Sequence, residues 1–213
     1  ASSMVNSGLC LRLRPSLRKL RFSSNILVKP PTSSRELVDW LDETLHAAGI
    51  QRSAIVAASR GAWMATHYAT CFPERVERLA LICPVGITRG LSLSFLVRGL
   101  TTMGVRPTEE RIWSFVDAMV MPTTRRSLRQ DPWRLIMQQF VCGAVGFKAA
   151  VNRPLMNPWP MRPDCDLRPL AEARMPVLAI MGRDDSCHDG PKAAARFRQQ
   201  LPAAQIELIS DAN

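Results

Sequence analysis

Six cysteines, at positions 10, 71, 83, 142, 165 and 187, form no C-x-x-C pair and no paired Cys/His spacing of the kind a zinc site uses. That sparseness excludes a zinc ribbon and an oxidised, disulfide-stapled scaffold, and no metal site is expected. Long apolar runs are also lacking. Stretches such as Leu79 to Cys83 and Val177 to Met181 have strand length and fall far short of the roughly 18 residues a membrane helix needs, so no stable membrane insertion is expected. Aromatic-basic stripes are missing as well. Of the 28 basic residues 24 are arginine, a preference that fits coding bias as well as it fits phosphate contacts. The net charge of +10 therefore predicts no nucleic-acid partner.

The N-terminal segment combines a lack of acids with a run of cations. Residues 1 to 30 carry Arg12, Arg14, Arg18, Lys19, Arg21 and Lys29 without a single Asp or Glu, and the rest of the chain is only mildly basic. Such arginine- and serine-rich composition is that of an organelle transit peptide; the alternative is a leader with no structural role. Residues 1–33 are excluded from the core either way. The expected compartment is the cytoplasm, or an organelle matrix if residues 1–25 are a transit peptide.

What is present is an α/β rhythm in a chain of 213 residues, long enough for one sizeable core. Ser33 and Glu36 form an S-x-x-E capping box. Leu37, Trp40, Leu41 and Leu45 follow on one helical face, and Gly49 ends the helix. The run Ser53 to Ala58 reads as a strand, Ser59-Arg60-Gly61 as a sharp turn, and Trp63 to Cys71 as a helix stopped by Pro73. Arg78 to Cys83 reads as a second buried strand, which implies a right-handed β-α-β unit with parallel strands. From about 88 to 168 the patterns are helical: Leu91 to Met103, Thr108 to Met121 and Asp131 to Val141, the last opened by an Asp-Pro pair. Proline and methionine then thicken from Arg153 to Met161, suggesting an irregular connection. A strand at Pro176 to Met181, a loop, a helix at Pro191 to Leu201 and a strand at Gln205 to Ser210 complete the pattern.

The chemistry centres on Ala57-Ala58-Ser59-Arg60-Gly61, a small-x-nucleophile-x-small sequence between strand and helix. A tight turn there forces the serine into a strained conformation, so the positions two away must be small, and the adjacent helix N-terminus favours developing negative charge. The amide of Arg60 is one candidate oxyanion donor. The structural alternative is a serine that only caps the helix.

Residues 34 to 87 resemble the nucleophile-elbow segment of the α/β-hydrolase superfamily. The matching features are the helix W-L-D-E-T-L-H-A-A-G-I, the elbow at Ser59, and H-Y-A-T-C-F-P-E-R-V-E-R-L-A-L-I-C-P-V-G-I. Residues 176 to 213 are similar to its C-terminal part, where P-V-L-A-I-M leads to G-R-D-D. The resemblance implies a mostly parallel sheet with helices on both faces and a helical cap insertion. The core is expected at 34–87 and 169–213 and the cap at 88–168. It also implies that Asp185 is the triad acid, with Asp184 the less favoured choice, and that the base follows the last strand. There the sequence reads Ser210-Asp211-Ala212-Asn213, one residue short of the family's histidine.

Ala57 replaces the first glycine of the usual elbow, and only Ile26-Leu27-Val28 offers a strand ahead of the first helix. The family's N-terminal strands and its oxyanion loop are thus missing, and the chain is expected to be truncated at both ends. None of the histidines reads as a base: His188 is expected to be solvated in its loop, and His46 and His67 to be structural. Trp113, Met119, Met121, Trp133, Met137 and Trp159 either line an acyl pocket or pack the helices. The implied function is a serine hydrolase acting on a small ester or related acyl substrate through a Ser59 acyl-enzyme, without a cofactor. The alternative is a non-catalytic or degenerate relative lacking the triad histidine. Nothing in the pattern specifies an oligomeric state.

Overall fold

The structure, a computed structural model, describes residues 33–86, 91–99, 101–102, 108–130, 134–135 and 166–212. The leader at 1–32, the strand candidate at Ile26 to Val28, the Arg153 to Met161 connection, Trp133, Met137 and Trp159 lie outside them. So does most of the helix expected at Asp131 to Val141.

Helix α1 (Ser34–Ala47) begins where the capping box places it, with the Ser33 hydroxyl accepting from the Glu36 amide at 3.1 Å. It buries Val38, Leu41 and Leu45 against α2 (Arg60–Cys71). Strand β1 (Ser53–Ala58) leads into α2, and a 3-10 turn at Pro73–Arg75 leads into β2 (Val76–Ile82). The described residues of the middle of the chain include α3 (Leu93–Gly99), α4 (Glu109–Met119) and the short α5 (Arg125–Leu128). The core then resumes with α6 (Arg168–Glu172), β3 (Val177–Gly182), α7 (Gly190–Gln200) and β4 (Gln205–Ile209).

The four strands form one parallel sheet in the order β1-β2-β3-β4. Each crossover steps in the same direction across the sheet, so right-handed connections carry α2 and α7 to the same face. The register bears this out. Ile55, Leu79 and Val177 align, as do Ala57, Leu81, Ala179 and Ile206. Of these only Ile206 is not fully buried, and it packs against the same core. Side chains one residue along point the other way, and Val56, Ile82 and Ile209 on that face are exposed. The helices expected on the second face are not among the described residues.

Trp63, Tyr68 and Phe197 are the largest wholly buried side chains of this core. Tyr68 is tied by its hydroxyl, which donates to Asp42 of α1 at 2.8 Å, and Arg75 pairs with the same carboxylate at 3.3 Å. Burial, with the Asp42 charge beside it, raises the Tyr68 pKa and keeps the donor protonated. Beyond β2, Gly86 has φ +80°, and a Cβ there would stand 2.6 Å from the Trp63 ring. The glycine of the Pro84-Val85-Gly86 motif is therefore required by the indole beneath it.

Candidate active site

Ser59 follows the last residue of β1 and precedes the first residue of α2. Its backbone sits at φ 50°, ψ −121°, a region that costs a non-glycine residue about 1–3 kcal/mol. Three backbone hydrogen bonds hold it there. Its amide donates to the Ile82 carbonyl at 2.8 Å, and its carbonyl accepts from the amides of Ala62 and Trp63 at 3.0 and 3.2 Å. The hydroxyl makes no capping bond to the helix, and Ser59 is exposed. Ala57 is buried at 1% exposure and Gly61 is buried on the other flank, so both small positions lie within packed structure.

Arg60 is the first helical residue, so its amide is one of the first-turn donors for which the helix itself supplies no acceptor. Its guanidinium is half-buried, and burial lowers its pKa.

Asp185 lies in the loop after β3, two strands away from Ser59. Its side chain is 4% exposed, whereas Asp184 is exposed. One carboxylate oxygen, Oδ1, accepts from the Cys187 amide at 2.7 Å. The other, Oδ2, faces Nδ1 of His188 at 3.6 Å. The loop is anchored from outside. The Ser92 hydroxyl donates to the Ser186 carbonyl at 2.7 Å and the Ser92 amide to the Cys187 carbonyl at 2.8 Å. The amides of Arg183 and Asp184 donate to the carbonyls of Ile209 and Ala212, extending the β3–β4 pairing.

His188 corrects the sequence expectation. It is not solvated: its side chain is 3% exposed, and both ring nitrogens are buried without a hydrogen-bond partner. The loop turns back so sharply that a Cβ on Gly190 would collide with the Gly182 carbonyl, and that return folds His188 inward. The other two histidines keep to helices. His46 is exposed in α1, and His67 lies in α2 with its ring 4.4 Å from that of Trp63.

Cys83 is the residue sequence reading passed over. It follows β2 between Ser59 and Asp185 along the C-terminal edge of the sheet, has φ 44°, and donates its amide to the Ile180 carbonyl at 2.8 Å. Burial and the Asp185 charge raise its thiol pKa, and the same two causes push Cys187 up to about 12. Both thiols stay protonated and unreactive near neutrality. The available signal was its place after the β2 run, where an adjacent parallel strand ends level with the elbow.

In the middle of the chain Ile112, Phe115 and Val116 of α4 are buried, and Phe95 of α3 lies 5.3 Å from the Phe115 ring. Trp113, Met119 and Met121 are half-buried, and Arg129 covers the Trp113 ring at 5.2 Å. Among the described residues no group of three or more His, Cys, Asp or Glu side chains is arranged to hold a metal ion, and no helix is long and apolar enough to cross a membrane.

The parallel sheet, the strained turn into α2 and the acidic loop after β3 together define the α/β-hydrolase fold. Solved structures of that fold match the chain. It is similar to the naproxen esterase of Bacillus subtilis (20% identity, TM-score 0.67, covering 87% of this chain and 61% of that one). It is similar also to the meta-cleavage product hydrolase of Pseudomonas fluorescens (20%, 0.66, 87% and 66%) and to a second Bacillus subtilis carboxylesterase (18%, 0.68, 85% and 60%). The chain thus spans about three fifths of the length of the esterases it matches. No protein-family model and no curated protein matches it.

Proposed function

We propose that this chain is a serine hydrolase that cleaves a small ester or related acyl substrate through an acyl-enzyme on Ser59. The observation that carries the reading is the conformation of Ser59: an exposed hydroxyl, uncommitted to capping, on a serine held in a strained backbone at a strand-to-helix turn. A structural serine has no need of that strain, whereas a nucleophile displayed above a sheet does. Likeness in fold to esterases and hydrolases supports the same reaction class.

In this reading Ser59 Oγ attacks the acyl carbon and the developing oxyanion is met by the Arg60 amide at the N-terminus of α2. Asp185 orients and electrostatically supports the imidazole that takes the serine proton. Its buried carboxylate, fixed through Oδ1 by the Cys187 amide, offers Oδ2 for that purpose. Water then releases the acyl group. In the same reading the described helices α3 and α4 belong to a cap, with Trp113, Met119 and Met121 available to its apolar lining.

The test is covalent labelling with a fluorophosphonate, with the adduct located by peptide mass spectrometry. A single adduct on Ser59, lost in Ser59→Ala while the circular dichroism spectrum is unchanged, is the expected result. A folded chain without that adduct makes Ser59 a structural turn residue and removes the reading.

A further inference from the structure

Ser92 joins two parts of the molecule. It precedes α3 and caps it: the Ser92 hydroxyl accepts from the Phe95 amide at 3.3 Å and the Ser92 carbonyl from the Leu96 amide at 3.0 Å. Phe95 of that helix in turn rests on Phe115 of α4. The same residue reaches 94 positions along the chain to the loop that carries Asp185. Its hydroxyl donates to the Ser186 carbonyl at 2.7 Å and its amide to the Cys187 carbonyl at 2.8 Å. Those two carbonyls bracket Cys187, whose amide donates to Asp185 Oδ1 at 2.7 Å. The Ser186 carbonyl and the Cys187 amide are the two ends of one planar, rigid peptide unit and point in opposite directions. A donor on the carbonyl therefore fixes the plane, and with it the direction in which the N–H aims at the carboxylate. It also polarises the unit, so that each of the two hydrogen bonds strengthens the other. The bond to the Cys187 carbonyl fixes the next plane, and the backbone on both sides of Cys187 is held by one residue. At the start of the loop, the amides of Arg183 and Asp184 are bonded to the carbonyls of Ile209 and Ala212. The loop thus hangs from the sheet at its start and from Ser92 at its turn.

We propose that Ser92 is a positioning residue for the acid of the site, aiming the Cys187 amide at Asp185 through the peptide unit they share and tying that carboxylate to α3. The inference rests on the serine-hydrolase reading above, in which Asp185 orients the imidazole. With Oδ1 held by the Cys187 amide, Oδ2 keeps one direction, and that direction is what an orienting carboxylate has to supply. The hydrogen bonds of Ser92 go to this loop and to its own helix, so it acts through Asp185. It governs the rate of bond formation at Ser59 and leaves the capture of a reagent alone. No proton passes along the tie, since the hydroxyl keeps its hydrogen and Asp185 stays ionised. Without the donor the 186–187 peptide is free to rotate and the aim of the Cys187 amide is lost. A catalytic group misplaced by about 1 Å costs on the order of a hundredfold in rate.

The experiment uses the whole 213-residue chain with Ser92→Ala, Ser92→Thr and Ser92→Asp, the fold of each checked by circular dichroism. Ser92→Asp keeps an oxygen that caps α3 but, once ionised, has no proton to donate to the Ser186 carbonyl. Saturable fluorophosphonate labelling of Ser59 separates the affinity for the reagent from the maximal rate. Ser92→Ala and Ser92→Asp should lower the maximal rate by about 10- to 100-fold with the affinity unchanged. Ser92→Thr, which keeps the hydroxyl, should label at close to the wild-type rate. In an Asp185→Asn background Ser92→Ala should slow labelling by no more than about twofold further, because the residue it acts through is already disabled. A second measurement needs neither labelling nor a variant. In the isotope-labelled wild type, NMR should show a coupling through the hydrogen bond from the Ser92 amide nitrogen to the Cys187 carbonyl carbon. If Ser92→Asp labels like the wild type, if Ser92→Ala slows labelling equally with and without Asp185, or if the coupling is absent, the inference falls while a labelled Ser59 keeps the serine reading. If Ser59 is never labelled, the serine reading falls and takes the inference with it.

Discussion

At the scale of single residues, Ser59 and His188 show two ways in which a site departs from an ordinary core. Ser59 carries backbone strain: φ 50°, ψ −121° suits glycine far better than serine. Ser59→Gly should therefore raise stability to urea by about 1 kcal/mol, the relief of strain exceeding the extra entropy of the unfolded chain, while abolishing fluorophosphonate labelling. A loss of stability instead would mean the turn is not strained. Ser59 was legible in the sequence because the small residues flanking it and the strand and helix on either side are all local. His188 was not. Its burial depends on Ser92, distant in sequence, anchoring the loop, and on the return of the chain against Gly182.

The elements were legible in proportion to how much of their signal is local. Helix α1 starts at its capping serine, and β1, β2, β3 and β4 fall within two residues of their apolar runs. The short α6 and the 3-10 turn at Pro73–Arg75 were missed, since a single turn is too brief to show a hydrophobic period. The start of α7 illustrates a constraint of element on element. Asp189 caps it by accepting from the Lys192 amide at 3.0 Å, and Gly190 is pressed against the carbonyl of Gly182 at the end of β3. Gly190→Ala should lower stability by roughly 1–3 kcal/mol in urea titration through overpacking. Because the same loop holds Asp185, it should slow Ser59 labelling as well. Unchanged values for both would show that the β3–α7 turn has slack.

For the molecule as a whole, sheet order and face decide the surface. The described helices cover one face, and Val56, Ile82 and Ile209 stand 45%, 38% and 45% exposed on the other, although parallel sheets ordinarily bury both. An apolar patch of this kind binds hydrophobic dyes. The double variant Val56→Lys/Ile82→Lys should lose much of the fluorescence of bound anilinonaphthalene sulfonate while changing stability by no more than about 0.5 kcal/mol per site, as surface substitutions do. A loss of several kcal/mol would show that this face is packed in solution.

The sequence by itself determined the strand–turn–helix unit and the parallel character of the sheet, and it offered Ser59 and Arg60 as candidates, because each rests on neighbours within a few positions; Asp185 came as a candidate from the family resemblance. Only the tertiary structure decided that Cys83 stands between Ser59 and Asp185, that Asp185 rather than Asp184 is buried, and that His188 turns inward against the acid. Those facts depend on which strands lie side by side and where a loop is tied down, and contacts made across so many residues leave no period or motif in the chain.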